Sequence, residues 1–136
     1  MNILNGILPA SWQGYTHAAL RIMTGLLFLQ HGTMKLLGFP INDAIKAMIS
    51  GMPSGMVTFT GLMEFVGGIL IVLGLFTRSV AFILSGYMAV AYFMFFPANS
   101  LFPLVNGGEY EVLLCFVFLW LATAGAGPFS LDANRK

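Results

Sequence analysis

The chain has 136 residues, room for one domain. Its six basic and five acidic side chains net +1 with no basic stripe, which excludes nucleic acid as a partner. Hydrophobic residues make up 58% and charged residues 8%, against about 25% charged in soluble domains; with a mean hydropathy of +0.87 this excludes a water-soluble globule, and the solvent is lipid. The single cysteine, Cys115, excludes an intramolecular disulfide and a Cys-based metal site.

A helix crosses the hydrocarbon with about 20 mostly apolar residues, and four stretches qualify. Residues 1–15 hold no charged side chain and no cleavage pattern, so the first apolar segment is expected to be retained. Trp12 and Tyr15 suit the headgroup level and place this segment along the membrane surface. The first predicted helix runs from Thr16 to Leu37 and ends at Phe39-Pro40-Ile41-Asn42-Asp43. Ala44 to Ser50 reads as an interfacial helical turn, and the second helix runs from Gly55 to Phe76. Thr77 and Arg78 predict a tight turn that makes the second and third helices antiparallel neighbours. The third helix covers Ser79 to Phe96, Pro97 to Gly108 is a loop, and the fourth covers Tyr110 to Gly125. Gly127 and Pro128 stop it, leaving a polar tail to Lys136. The expected fold is a single all-α domain over residues 1–136, an integral membrane four-helix bundle.

Basic flanks set orientation. Arg78, Arg135 and Lys136, with Arg21 nearby, mark one side; Lys46, with Lys35 nearby, marks the other, and the long third loop has no basic residue. The arginine-rich side, with both termini, is expected to be cytoplasmic.

Ionisable residues within spanning helices are costly and point inward. At about 100° per residue, His17, Arg21, Thr24, His31 and Lys35 fall in a stripe about 80° wide. Arg21 and Lys35 are about 21 Å apart along it, so Arg21 is a secondary polar position at the cytoplasmic end. The second helix carries Glu64 on a face with Thr60, Gly61, Gly67, Gly68 and Ile71, small residues that admit another helix closely. Running antiparallel, it brings Glu64 near His31 and Lys35, and Glu109 and Glu111 open the fourth helix on the same outer side. A lone carboxylate there would be driven neutral by desolvation, so Glu64 is expected within hydrogen-bonding reach of His31 or Lys35. Two readings of the cluster His31, Lys35, Glu64, Glu109 and Glu111 stand open: buried charges fixing helix register, or a ligand-binding or proton-handling site. Among the aromatics, Tyr92 and Trp120 are candidates to stack on a flat ligand, set against ordinary packing. No CxxC, HExxH or phosphate-binding glycine loop occurs, so no metal or cofactor is expected from the residues themselves.

Three segments resemble the DoxX family and together span nearly the whole chain. They are Arg21 to Lys35 with Gly25, His31 and Gly32; Glu64-Phe-Val-Gly67-Gly68 followed by Leu73-Gly74-Leu75-Phe76-Thr77-Arg78; and Gly107-Gly108-Glu109 with Gly125-Ala-Gly127-Pro128-Phe-Ser130-Leu131-Asp132. The resemblance implies a bacterial inner-membrane protein of four helices, linked in relatives to oxidoreductase assemblies, including thiosulfate oxidation feeding quinone. The family pattern places a histidine near the end of the third helix, where this sequence has Phe95 and Phe96. The expected function is therefore a membrane subunit or partner of a soluble oxidoreductase, surrounded by lipid and linked to quinone by resemblance alone, rather than a stand-alone enzyme. The alternatives are a small-molecule or lipid-binding membrane protein using a polar pocket between helices, and a structural assembly factor.

Overall fold

The computed structural model describes residues 6–96, 98 and 100–135; the N-terminal residues 1–5, Pro97 at the predicted loop boundary and Lys136 of the basic flank lie outside them. After a 3-10 turn at Ala10–Trp12, the chain forms α1 (Gln13–Leu37), α2 (Asp43–Ser50), α3 (Ser54–Leu73), α4 (Thr77–Phe95), α5 (Pro103–Asn106), α6 (Glu109–Ala124) and α7 (Leu131–Asn134). All are helices, and four are long. The predicted interfacial turn is a helix, α2, begun by Asn42, whose side chain accepts from the Ile45 N–H at 2.9 Å. The predicted loop and tail each contain a short helical turn, α5 and α7.

Two helices, α3 and α4, are long and apolar enough to cross a membrane. The other two long helices differ for separate reasons. α1 has 25 residues but carries the polar stripe. α6 has 16 residues, about 24 Å at 1.5 Å per residue. The outward faces hold Leu62, Val66, Phe82, Ile83, Val90, Phe93, Leu113 and Phe116, all exposed, a surface suited to lipid.

One sequence expectation needs correction. The turn joining the second and third predicted helices is Gly74 to Phe76, not Thr77 and Arg78, which open α4. Gly74 takes the left-handed conformation at φ 66°, and the Leu75 N–H reaches back to the Leu70 carbonyl at 2.9 Å, a glycine-stopped helix end. Phe76 is also left-handed, at φ 51°.

The tight turn does not make α3 and α4 the closest pair. α1 lies tightest against α3, and α4 against α6. Glycines explain the first contact: a Cβ on Gly25 would stand 2.8 Å from the Val72 nitrogen, and one on Gly68 would stand 2.8 Å from the Leu29 Cα. Backbones approach where side chains are missing. The two pairs join through an apolar core of Phe28, Ile71, Ala81, Leu84, Met88, Leu114, Phe118 and Leu121, with the Phe28 and Phe118 rings edge-on at 5.1 Å. The start of α1 meets Pro128 beyond α6, so the two described ends of the chain share one end of the bundle.

Candidate functional site

The stripe of α1 faces inward along its length: Arg21 and Thr24 are buried, and His17, His31 and Lys35 are partly buried. It meets two separate groups of partners.

Toward the end of the bundle that carries α2 and α5, Lys35 and Glu64 meet across the α1–α3 contact, their side chains 11% and 9% exposed. Lys35 Nζ donates to Glu64 Oε1 at 2.8 Å and to Thr60 Oγ1 at 3.1 Å. Thr60 can accept because its own hydroxyl proton goes to the Met56 carbonyl at 2.8 Å. Tyr87 of α4 donates to the same Glu64 oxygen, Oε1, at 3.0 Å. The other oxygen, Oε2, is buried and has no partner. In a low-dielectric interior an unmade hydrogen bond of this kind is costly.

His31, one turn before Lys35, stacks on Tyr110 of α6 with ring centroids 4.8 Å apart at 27°. Glu111 lies within electrostatic reach of Glu64 and Lys35, and its Oε2 is also buried without a partner. Glu109 is exposed at the start of α6 and lies outside this group. His31 also lines a cleft of about 310 Å³ with Gln30, Met34, Pro40, Ile41, Asn42 and Ile45, between the end of α1 and the start of α2. Neither Lys35 nor Glu64 lines it.

At the opposite end Arg21 is fully buried, 0% exposed. Its guanidinium donates to the carbonyls of Ala126, Pro128 (3.1 Å) and Phe129 (2.6 Å), beyond the end of α6. His17 Nε2 pairs with the Gly125 carbonyl at 2.8 Å, and Arg78 donates to the Thr123 carbonyl. A helix C-terminus leaves carbonyls unpaired, and donors suit it; here Arg78 serves the last turn of α6, His17 its cap residue Gly125, and Arg21 the segment beyond. Asp132 closes the arrangement from the other side, accepting from the Phe76 N–H at 2.9 Å and the Thr77 N–H at 2.8 Å. Burial alone would push its carboxyl up; the Thr77 and Phe76 N–H groups and Arg135 outweigh that and hold it below the usual aspartate range. The tail is thereby tied to the turn between α3 and α4.

Tyr92 and Trp120 lie outside the Glu64 cluster. Tyr92 donates to the Leu101 carbonyl at 2.7 Å and accepts from Asn106 Nδ2 at 2.9 Å, tying down the loop before α6. Trp120 is half exposed beside His17, with ring centroids 4.6 Å apart, at the Arg21 end. Tyr87 is the site residue that residue-by-residue reading missed. Its signal was available: a tyrosine deep in a span needs a partner for its hydroxyl. Among the described residues no group of three or more His, Cys, Asp or Glu is placed to hold a metal ion.

A helical bundle with an apolar outer surface and two buried polar centres defines a class of membrane protein. The DoxX family profile matches residues 17–97, and the chain belongs to the DoxX family. It is 44% identical over 124 residues to an uncharacterised protein of Haemophilus influenzae, covering 89% of this chain and 91% of that one. Over 124 residues it is 32% identical to the inner membrane protein YqjF of Escherichia coli, covering 85% and 90%. Over 113 residues it is 29% identical to a Bacillus subtilis protein named "Putative oxidoreductase CatD", covering 83% and 81%. No solved structure matches the chain.

Proposed function

We propose that this protein is an inner-membrane component of an oxidoreductase system that works through the cluster of Lys35, Glu64 and Tyr87, with His31 and Glu111 beside it. The observation that carries the reading is the buried Glu64 carboxylate, with two donors on one oxygen and none on the other. A charge pair inside an apolar bundle is rarely needed for stability, since well-packed apolar residues serve as well; ionisable groups kept inside a membrane usually bind or move something. The names of the E. coli and B. subtilis relatives support the membrane and the redox parts. The chain supplies one cysteine, so the redox centre comes from a partner protein or a bound organic group.

A quinone is the group the family suggests, and the donors and acceptors test its fit. Two of the three Lys35 protons and the Tyr87 proton are committed, and the free atom, Glu64 Oε2, is an acceptor. A quinone carbonyl also accepts, so the oxidised head group does not match that atom. No step is assigned through it.

The orientation rests on Arg78 and Arg135 at the end holding both described termini: that end is cytoplasmic, and α2 and α5 lie outside. A periplasm-active reporter fused after Lys136 should be silent; strong activity reverses the orientation.

The function is tested by deleting the gene and measuring donor oxidation in membrane vesicles while identifying proteins recovered with the tagged chain. A redox enzyme should be recovered, and the wild-type gene, but not Glu64→Gln at equal accumulation, should restore the lost oxidation. Full restoration by Glu64→Gln makes the cluster structural. Recovery of no redox enzyme, with Glu64 still required, favours the small-molecule-binding reading, which the cleft beside His31 supports.

A further inference from the structure

Resting on the reading of this cluster as a working site, we infer that its ligand is a neutral, hydroxyl-bearing head group that donates a hydrogen bond to Glu64 Oε2. The polar inventory is asymmetric. Lys35 and Tyr87 both donate to Oε1, at 2.8 and 3.0 Å. Oε2 belongs to a residue only 7% exposed and has no donor. A buried carboxylate oxygen without a partner costs the full desolvation of that lone pair, so whatever completes the site must carry an O–H or N–H.

Charge then selects between the two. Lys35 already balances Glu64 at ion-pair distance, so a neutral hydroxyl completes the hydrogen bonds without adding net charge to the interior, whereas an ammonium would bring an uncompensated cation. An anion is excluded by the same free oxygen. Glu111 Oε2, on α6, is a second buried carboxyl oxygen without a partner. His31, stacked on Tyr110 one turn before Lys35, also lines the cleft between α1 and α2, which Lys35 and Glu64 do not line.

Two sources share this chemistry, a ring diol and the glycerol hydroxyl of a lipid. The test titrates the full-length protein in nanodiscs, anaerobically, with duroquinol, duroquinone, 1,2-dioctanoylglycerol and dodecylammonium. A hydroxyl-bearing probe should bind at least about tenfold more tightly than duroquinone or the ammonium. Duroquinol ahead of dioctanoylglycerol assigns the ring diol; the reverse order assigns the lipid. Binding should shift the carboxylate infrared band of the wild-type protein, a readout that needs no variant, and Glu64→Gln should remove the preference. Tighter binding of duroquinone overturns the inference, showing that the third Lys35 proton is what the site offers. A preference for dodecylammonium, or no binding of any probe, overturns it too. In each of those cases Glu64→Gln can still fail to restore vesicle oxidation, and then the functional reading stands without this ligand; if Glu64→Gln restores it, both fall.

Discussion

Arg21 and Lys35 sit on one face of α1, about 21 Å apart, and the bundle answers them differently. Arg21 is met by backbone carbonyls of the segment after α6. Lys35 is met by a carboxylate, a hydroxyl and, through that carboxylate, a tyrosine from a third helix. Carbonyls do not titrate within any physiological range and are fixed in the backbone, so the Arg21 centre holds the tail, with the Arg21 Nε–H alone left without an acceptor. A carboxylate with one free oxygen can accept a donor, exchange a proton and rearrange. On the proposed reading the difference separates a clasp from a site, although both look alike as buried cations in a spanning helix.

The comparison can be broken most severely at the clasp. Arg21→Met strips three carbonyls of their donor, at about 1–3 kcal/mol for each buried group left unsatisfied, and should cost on the order of 3–5 kcal/mol or prevent accumulation. Arg21→Lys should rescue little, because a point charge cannot reproduce the guanidinium fork. Denaturant unfolding in detergent micelles checks both. A marginal loss for Arg21→Met would mean that the tail holds without it.

At the other end, Glu64→Gln leaves Lys35 buried without its counter-charge and should destabilise by a few kcal/mol, the cost of breaking a buried pair. Tyr87→Phe should cost less, about 1 kcal/mol, because Lys35 still serves Oε1. The same unfolding measurement ranks the two; equal losses would mean that Tyr87, and not Lys35, sets the cluster.

The smallest effect belongs to Asp132. Its carboxyl is held below the ordinary value, so its contribution is present above about pH 4 and is lost as pH falls through the lowered folded value. Asp132→Asn should therefore be less stable than wild type near neutrality, by about 0.5 kcal/mol, the low end for a capping side chain, and the gap should close on acidification below about pH 4. A gap that persists unchanged in acid would mean that the carboxylate charge plays no part in capping α4.

Much of this architecture was legible in the sequence. Apolar runs gave four long helices to within a few residues. The 3.6-residue period put His17, Arg21, Thr24, His31 and Lys35 on one face, and the small residues around Glu64 marked where α1 would dock. The structure places the Lys35–Glu64 contact there. The turn at Gly74 to Phe76 was misread because Phe76 adopts a left-handed conformation, and its N–H is tied to Asp132, fifty-six positions on. Nothing local announces such support. The partners of Arg21 were invisible for a related reason: backbone carbonyls carry no residue-type signature, so a glycine- and proline-rich segment that reads as a helix stop gave no sign of being a guanidinium cradle. A tyrosine deep in α4 announces that its hydroxyl needs a partner, but only the packing of α4 against α3 shows that the partner is Glu64.

The most direct test of the central claim, that the Lys35–Glu64 pair is kept for work and not for stability, is vesicle oxidation restored by the double variant Lys35→Met/Glu64→Leu at matched accumulation. Removing both charges together avoids the unpaired ion and leaves only the Tyr87 hydroxyl without its acceptor, so the protein should unfold within about 1–3 kcal/mol of wild type. It should nevertheless fail to restore oxidation. A double variant that is folded and fully active would contradict the account and leave the pair as a register device between α1 and α3.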